Sequence, residues 1–521
     1  MCGAWRLPGV VVLLLAMAGC DRGSPPAIPE VRLGQQVIAG RAGDSHPGVA
    51  SFRGIPFAEP PVGALRWQAP QPLRTRAERL DATKFAAACY QDSYNNDWYR
   101  KVGAAFGAEP AAFVDPPFSE DCLYLNVWTP APGRDARLPV MVWIHGGANR
   151  SGWSFEPNYQ GENLAARGNL VVVSIAYRHG VFGFFGHPEL DGATNFGLLD
   201  QLAALRWVQE HIAAFGGDAG NVTVFGESAG AADIGYLMAM PMAQGLFRRA
   251  ISQSGGYQML ERRSVADLEA LGEILSAALP GRPDLAGLRQ LESATILAAA
   301  NSALKDHDWG PAVDGTTVPG PVNPESLPRV SPVDLLVGTN QDEWYMYVDD
   351  DAAALVAAID GMSAAARGAL QELAASEPSV RRGHDRAVTF ANMVCPGYLM
   401  ADAVRRAGGA AWVYRFTRVR PGPGGEQLRA YHGAEIPYVF DTHDDWLATD
   451  DTDRRLTGAL IDYWANFART GDPNAGSLPA WPAYDAAGAR VMMLGDELAP
   501  QPAPDHALCL EQADALYGVV P

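Results

Sequence analysis

The sequence predicts an α/β fold with a mostly parallel central sheet flanked by helices, and three patterns lead to this prediction. Residues 138–144 and 170–176 are almost wholly apolar, as expected of strands that are buried on both faces. Between residues 196 and 215, apolar side chains recur every three or four positions, which indicates a helix that covers the sheet. The third pattern is a short apolar strand, residues 221–225, that runs directly into a glycine-flanked serine motif at residues 226–230.

The motif at residues 226–230 reads Gly-Glu-Ser-Ala-Gly, and the segment after it can begin a helix. A serine on a sharp strand-to-helix turn projects its hydroxyl over the sheet edge, with a helix N-terminus behind it. Small residues are needed on both sides because the strand and helix backbones approach closely. The sequence therefore predicts Ser228 as the nucleophile of a serine hydrolase, and the alternative is a serine in a purely structural turn.

The predicted strand at residues 138–144 leads into a second loop of small residues, His145-Gly146-Gly147-Ala148. Backbone N–H groups in such a loop can approach a developing oxyanion, and each donor is worth on the order of 3 kcal/mol of transition-state stabilisation. The N–H that follows the nucleophile, from Ala229, would complete the site. We expect Gly147, Ala148 and Ala229 to form an oxyanion hole, and the alternative is a glycine loop without a ligand.

The remaining elements continue the alternation of strands and helices. The glycine-rich stretch at residues 216–220 is expected to end the helix that precedes the serine motif. No repeat and no linker to a second domain is evident, so the pattern predicts one α/β domain. Later strands are expected at residues 249–253, 333–337, 411–416 and 490–494, and alanine-rich helices over the sheet within residues 262–304 and 350–376.

Composition and charge exclude several classes of function. The 521 residues are 48% hydrophobic and 19% charged, which is typical of a globular protein with a large core. The net charge of −19 argues against a nucleic-acid partner, which requires a cationic face. The sequence contains no Walker loop, no His-Glu-x-x-His motif and no paired Cys-x-x-Cys motif. We therefore expect no metal and no other cofactor.

Residues 1–19 have the features of a lipoprotein-type signal peptide. The apolar run at residues 7–18 follows Arg6 and is too short to span a bilayer. It ends in Met17-Ala18-Gly19-Cys20, which resembles a bacterial lipoprotein box with Cys20 as the acylated residue. A plain secretory peptide cut after Ala18 or Gly19 is the alternative.

Behind this segment we expect a linker at residues 20–30 and the folded domain at residues 31–521. Either form of the signal predicts export. The protein would be a lipoprotein on the periplasmic side of a bacterial cell envelope, in contact with the membrane only through its anchor, or it would be secreted.

Cysteine usage is compatible with export. With Cys2 in the signal peptide and Cys20 in the lipoprotein box, four cysteines remain, namely Cys89, Cys122, Cys395 and Cys509. In an oxidising compartment they predict two disulfides, for which the sequence allows three pairings. Free buried thiols are the alternative.

Ordered sequence blocks occur along nearly all of the mature chain, at residues 52–61, 120–127, 143–148, 195–201, 215–218, 224–231, 253–255, 311–315 and 464–474. Together these blocks resemble the type B carboxylesterase family, the esterase, lipase and cholinesterase branch of the α/β-hydrolases. The resemblance implies the α/β-hydrolase fold in a single domain, with helical insertions over the active site.

This resemblance implies a catalytic triad. The family's acid lies in a block that reads here Gly-Thr-Asn-Gln-Asp-Glu at residues 338–343, so that Glu343 matches and Asp342 is the alternative. Its base lies in His-Gly-x-Glu-Ile, which is matched at residues 432–436 by His432 and its neighbours. Together with Ser228 these residues occur in the chain order Ser, Glu, His that is typical of the fold.

The same resemblance assigns supporting residues and the disulfide pairing. Ser254 matches a serine that supports the triad, and Asp200 and Glu227 are interpreted as structural or supporting carboxylates. The implied disulfides are Cys89–Cys122 and Cys395–Cys509. The implied activity is that of a serine carboxylic-ester hydrolase, which forms an acyl-enzyme on Ser228 and takes small-molecule esters without a cofactor.

Departures from the family limit the substrate prediction. An aromatic residue is common after the oxyanion motif, where this chain has Asn149-Arg150, and residues 111–113 lack the tryptophan of cholinesterases, so a choline site is not supported. Trp98, His307 and Trp309 are candidates for lining the substrate pocket. The rival functions are a specialised hydrolase of carbamate, lactone or polyester bonds, a peptidase, and a non-catalytic binding protein of the same fold.

Overall fold

A computed structural model of the chain describes residue 1 and residues 28–74, 78–133, 135–260, 263–327 and 333–518. The predicted signal peptide at residues 1–19 lies outside the described residues except for Met1. Cys20 and most of the predicted linker at residues 20–30 lie outside them as well.

The described strands form one large sheet and two small ones. In chain order the strands are β1 Glu30–Leu33, β2 Gln36–Ala39, β3 Arg41–Ala42, β4 Ala50–Pro56, β5 Arg79–Asp81, β6 Ala88–Cys89, β7 Phe118–Ser119, β8 Tyr124–Thr129, β9 Leu138–Ile144, β10 Val171–Ile175, β11 Gly217–Glu227, β12 Arg249–Gln253, β13 Asp334–Asn340, β14 Ala411–Phe416, β15 Arg490–Leu494 and β16 Leu498–Pro502. The large sheet has the order β16-β15-β14-β13-β12-β11-β9-β10-β8-β4-β3.

The centre of this sheet is parallel, as the sequence predicts. Every neighbouring pair from β10 to β15 in the sheet order runs parallel. The flanking strands β16, β8, β4 and β3 each join it in antiparallel orientation. The sequence did not predict these antiparallel strands, of which β3, β4 and β8 lie near the N-terminus and β16 near the C-terminus.

The packing of β9 on both faces of the sheet explains its continuous apolar sequence. Val140 and Val142 pack into one core cluster, whereas Met141 and Trp143 pack into another on the opposite face of the sheet. Successive side chains of a strand point to opposite faces, so a strand covered by helices on both faces is apolar at nearly every position.

Helices cover both faces and the edge at which the parallel strands end. In chain order they are α1 Tyr94–Ala105, α2 Glu162–Gly168, α3 Gly180–Gly183, α4 Phe196–His211, α5 Ala229–Ala239, α6 Val265–Ala278, α7 Leu285–Gln290, α8 Ser293–Ala303, α9 Ala352–Met362, α10 Arg367–Ala375, α11 Val380–Thr389, α12 Cys395–Arg406, α13 Pro423–Leu428, α14 Ile436–Phe440, α15 Asp451–Thr470 and α16 His506–Tyr517.

The helix before the serine motif ends earlier than its apolar pattern suggests. α4 stops at His211, and Ile212–Phe215 forms a 3-10 turn that closes at Gly216 with φ 85°. β11 then begins at Gly217, earlier than the predicted 221–225, because an irregular register between Gly217 and Val222 brings the polar stretch into the sheet.

One helical run has the length and apolar composition of a membrane span. It covers Val380–Arg406, and 83% of its most apolar window is buried inside the described structure. A helix that is covered in this way belongs to the protein core, where it packs against β13 and β14.

Both disulfides expected from the sequence are present. Cys89 is bonded to Cys122, and Cys395 at the start of α12 is bonded to Cys509 in α16. Because disulfides persist in oxidising compartments, the two bonds favour an exported protein.

We expect the two disulfides to differ in their contribution to stability. Their cysteines are 33 and 114 residues apart in sequence, and a longer closed loop restricts the unfolded chain more. Replacing Cys395 and Cys509 with serine should lower the free energy of unfolding by about 5 kcal/mol, and replacing Cys89 and Cys122 by about 4 kcal/mol. Denaturant unfolding of the two variants and the unaltered protein, in the same oxidising buffer, measures both losses. Unchanged stability in either variant would contradict the expectation.

Candidate active site

Ser228 lies in the tight turn between β11 and α5. Its backbone has φ 53° and ψ −124°, a strained conformation, and its N–H donates to the carbonyl of Gln253 at 2.9 Å. The turn requires glycine at position 230, since a Cβ atom there would lie 2.0 Å from the carbonyl oxygen of Ile144. The close approach of β9, β11 and α5 therefore fixes the serine hydroxyl above the sheet edge, as the motif predicts.

His432 and Glu343 reach this hydroxyl from other parts of the chain. His432 lies in the loop between α13 and α14, and its Nε2 is 2.8 Å from Ser228 Oγ. The opposite ring nitrogen, Nδ1, is 2.7 Å from Oε2 of Glu343, which follows β13. The structure thus brings together the three residues that the resemblance assigns to a triad.

The carboxylate of Glu343 is fully buried and is held by several donors. Its Oε1 accepts from the Ser254 hydroxyl at 2.6 Å and from the Asn340 N–H at 2.6 Å, while Oε2 faces the imidazole. A buried carboxylate is stable only when its oxygens are paired in this way. Ser254 therefore lies where the sequence analysis expects a supporting residue.

Asp342, the alternative acid, points to a different set of partners. Its Oδ1 accepts from Arg429 at 2.8 Å and from Arg382 at 3.4 Å, and Oδ2 accepts from the Ala430 N–H. The geometry selects Glu343, and not Asp342, as the partner of His432.

The loop after β9 presents backbone N–H groups beside Ser228. Gly147 and Ala148 have φ values of 106° and 56°, and a Cβ at position 147 would lie 2.2 Å from the carbonyl oxygen of Ser151, so that only glycine fits. Outside helices and strands, the described backbone hydrogen bonds include none donated by the N–H of Gly147, Ala148 or Ala229. These donors are available to a ligand, as an oxyanion hole requires.

A cavity of about 240 Å³ opens above Ser228 and His432. Trp98 lines it, as the sequence suggested, whereas His307 and Trp309 are not among its lining residues. Six aromatic side chains contribute to the wall, namely Tyr94, Trp98, Tyr99, Tyr159, Trp344 and Tyr347. Aromatic side chains in a cavity wall favour contact with apolar groups of a ligand.

Two buried carboxyl groups also line the cavity. Glu156 accepts from the Asn95 amide, the Trp153 N–H and the Tyr99 hydroxyl, and burial still raises its pKa to about 7. Glu227 has fewer partners, and burial raises its pKa to about 8. Its Oε1 lies 3.3 Å from Nε2 of His432.

The charge of His432 depends on the carboxyl groups around it. Burial lowers the pKa of its imidazole, but the nearby carboxylates of Glu227 and Glu343 outweigh burial and raise the pKa to about 9. Glu227, which the sequence analysis interpreted as structural or supporting, is thus a direct electrostatic neighbour of the imidazole. Asp200, in contrast, forms a buried ion pair with Arg178 away from the cavity.

Most residues of the cavity wall were not predicted from the sequence. Trp344 lies parallel to the His432 ring, with 6.1 Å between the ring centres. Because Trp344 directly follows Glu343 in the sequence, it could have been predicted as a residue of the site. Glu435, within the motif around His432, accepts from Gln253 and Asn340 and links the strand ends to the histidine loop. Glu156 and Tyr347 belong to loops whose sequences carry no comparable pattern.

Within the described ranges, no group of three or more His, Cys, Asp and Glu side chains is arranged to hold a metal ion. The arrangement places the Ser228 hydroxyl next to the His432 imidazole, with the N–H groups of Gly147, Ala148 and Ala229 available to a ligand.

Comparisons with known proteins agree on one family. A model of the carboxylesterase family matches residues 28–507. The chain is 34% identical over 478 residues to the para-nitrobenzyl esterase of Bacillus subtilis (strain 168), over 88% of this chain and 93% of that protein. Two solved structures, a PNB esterase and a carboxylesterase of Geobacillus stearothermophilus, each match with a TM-score of 0.78 at 32% identity. They cover 94% and 92% of this chain, and 99% of each relative is covered.

Replacing Glu227 with glutamine should lower the pKa of His432. The carboxylate 3.3 Å from Nε2 favours the protonated imidazole, so its removal should reduce the pKa from about 9 by about one unit or more. A pH titration of the His432 ring resonances by NMR measures the change. The exposed Glu189→Gln variant is the control and should leave the titration where it is. An unchanged pKa in Glu227→Gln would contradict this account.

Proposed function

The chain belongs to the carboxylesterase family, and we propose that it acts through a catalytic triad of Ser228, His432 and Glu343. The family assignment makes it a serine carboxylic-ester hydrolase, with small-molecule esters as substrates. The α/β-hydrolase fold expected from the sequence is confirmed by the solved relatives.

This triad is supported by two successive hydrogen bonds that link its three side chains. Ser228 Oγ lies 2.8 Å from His432 Nε2, and His432 Nδ1 lies 2.7 Å from Glu343 Oε2. In this arrangement Nδ1 carries the hydrogen that faces the carboxylate, so Nε2 has a free lone pair directed at the hydroxyl. The neutral imidazole in this tautomer can accept the serine proton, and because the pKa of His432 is about 9, the neutral fraction increases as the pH rises toward 9.

In the proposed reaction, Ser228 attacks the ester carbonyl while His432 takes its proton, and the charge on the imidazole is stabilised by Glu343. The oxygen of the tetrahedral intermediate accepts hydrogen bonds from the N–H groups of Gly147, Ala148 and Ala229. His432 then returns the proton to the leaving alcohol, and an acyl-enzyme forms on Ser228. Water enters, is deprotonated by His432 and releases the carboxylic acid.

The cavity supports a general esterase over the rival functions. Its volume of about 240 Å³ and its aromatic wall suit a small ester. Hydrolysis of carbamates, lactones or polyesters uses the same triad and stays as the alternative. A peptidase is disfavoured by the small volume of the cavity, and a non-catalytic binding protein by the assembled Ser-His-Glu arrangement.

For the cellular location, we propose that residues 1–19 are a lipoprotein signal peptide and that Cys20 becomes the lipid-bearing N-terminus. The domain at residues 31–521 would then lie on the periplasmic side of a bacterial envelope, held by the linker at residues 20–30. The two disulfides support export, and the secreted form cut after Ala18 or Gly19 is the alternative.

The Ser228→Ala variant should lose esterase activity. We expect kcat for p-nitrophenyl esters, acetate through decanoate, to fall by about 10⁴-fold or more, because no nucleophile is left to form the acyl-enzyme. The control is Ser264→Ala, which removes the capping hydroxyl of the distant helix α6 and should leave kcat unchanged. Burst and steady-state kinetics of the unaltered protein give the acyl-chain preference. A folded protein with both disulfides and no activity on any chain length would contradict the general esterase proposal.

The Cys20→Ser variant should lose its lipid. In cells that produce the full chain, the unaltered protein should incorporate labelled palmitate and partition into the detergent phase, and Cys20→Ser should do neither. Cys2→Ser, within the same signal peptide, is the control and should remain labelled. An unlabelled wild-type protein whose N-terminus follows Ala18 or Gly19 would identify a plain secretory peptide, and a retained Met1 would contradict export.

A further inference from the structure

A second cavity, of about 280 Å³, lies behind the loop that carries Glu343. Three arginine side chains line it, from α11 and from β14, namely Arg382, Arg386 and Arg415. The catalytic mechanism proposed above uses none of them. Arginine is the side chain best suited to hold a carboxylate or phosphate through two parallel hydrogen bonds.

Arg415 is the unusual member of this group. The residue is 4% exposed, and within the described part of the chain it forms no ion pair. Its polar neighbour is the hydroxyl of Tyr398, which itself donates to the Pro504 carbonyl at 2.8 Å. Burial lowers the pKa of Arg415, yet a guanidinium remains charged in proteins. A buried cation without a counter-ion is unfavourable unless an anion joins it.

The other two arginines are already paired. Arg382 lies 3.0 Å from Glu377 and 3.4 Å from Asp342, and Arg386 forms its ion pair with Asp505. Arg386 also lies 3.9 Å from Glu377, so both guanidinium groups are paired with carboxylates. Arg415 has no carboxylate within ion-pair distance among the described residues, and Asp505 and Glu343 act on it only from further away.

The remaining carboxyl group in the wall, Asp385, does not act as the counter-ion of Arg415. Its Oδ1 accepts from the Trp344 N–H at 2.8 Å and from the Thr389 hydroxyl at 3.1 Å. Burial raises the pKa of Asp385 to about 7, with the Asp342 carboxylate as the next cause, so at neutral pH this group is partly protonated. Its repulsion of a bound anion is therefore reduced.

The rest of the wall distinguishes between possible anions. Gln341 and Gln501 provide amide groups, whereas Met493, Pro502 and Pro504 provide apolar surface. A fully polar ion such as phosphate would leave this apolar surface without a partner, but the alkyl chain of a short fatty acid would cover it. We propose that this cavity binds a short-chain carboxylate, whose head group pairs with the guanidinium of Arg415.

Strand pairing and hydrogen bonds link the residues of this cavity to the segment that carries Glu343, the proposed catalytic acid. Arg415 pairs in register with Thr339 on β13, and the Gln341 N–H donates to the Phe416 carbonyl at 2.9 Å. Asp385 holds the backbone of Trp344, directly after Glu343. A carboxylate bound here contacts the segment that positions Glu343. That the bound carboxylate is the acid released by the enzyme rests on the proposed ester hydrolase function. The binding of a carboxylate at Arg415 does not rest on that function.

Calorimetric titration with sodium butyrate at constant ionic strength tests the proposal. The wild-type chain should bind butyrate with a dissociation constant of about 1 mM or lower, and Arg415→Gln should weaken this binding at least 10-fold. Arg415→Lys keeps the charge but loses the planar fork, and it should bind with intermediate affinity. Arg406→Gln is the control, since this arginine pairs with Asp402 on the surface and should bind as the wild type does.

Phosphate titration and a butyrate-soaked crystal test the proposal further. Phosphate at the same ionic strength should bind more weakly than butyrate, and the reverse order would overturn the carboxylate assignment. A crystal of the wild-type chain soaked in butyrate should show the carboxylate at Arg415, which tests the site even if Arg415→Gln does not fold. Butyrate found in the Ser228 cavity alone, or equal binding by folded Arg415→Gln and wild type, would overturn the proposal. Retained butyrate binding in an inactive wild-type protein would overturn the proposed triad chemistry and leave this site intact.

Discussion

Parallel pairing of β9, β11, β12 and β13 is the constraint on which the rest of the site depends. The carboxyl ends of these adjacent strands meet at one edge of the sheet. Four functional segments leave the sheet at that edge: the loop with Gly147 and Ala148, the turn with Ser228, Ser254, and the turn with Glu343. Their mutual distances are therefore set by strand spacing, and only His432 has to be delivered by a separate loop.

The buried carboxyl groups around His432 differ in how well they are hydrogen-bonded, and this difference separates their roles. Glu343 accepts two hydrogen bonds on the oxygen that faces away from the imidazole, so it is held as a fixed carboxylate. Glu227 lacks such partners, and burial raises its pKa to about 8. Its charge therefore changes near neutral pH, and with it the field that acts on the imidazole. In the proposed triad, Glu343 would orient the imidazole, and the ionisation of Glu227 would change the pKa of that imidazole.

The sequence predicts those parts of the fold and site that are encoded locally. Continuous apolar runs identified β9 and β10 within a residue at each end, because strands covered on both faces are mostly apolar. β12, β14 and β15 were predicted with the bounds that the structure has. Ser228 and the Gly147 loop followed from local turn chemistry, whereas Glu343 and His432 needed the family resemblance, since nothing in their own spacing marks them. The aromatic wall was largely missed because Tyr99, Trp344 and Tyr347 are brought together only by the tertiary fold. Among the antiparallel strands near the N-terminus, β3 was missed because it has only two residues, and β4 and β8 because polar residues and a glycine interrupt their apolar pattern.

Asn149 shows how the departure from the family's aromatic residue is accommodated. The residue is buried with φ 52°, and its side-chain amide donates to Asp233 in α5 at 3.0 Å. The second oxygen of Asp233 accepts from Gln201 in α4 at 2.6 Å. Asparagine adopts the left-handed conformation more readily than an aromatic residue does. The turn that contains Gly147 and Ala148 is thus linked by hydrogen bonds to the helices that precede and follow β11 in the chain. The geometry of the proposed oxyanion hole therefore depends on a buried polar network, where the family more often has an aromatic residue.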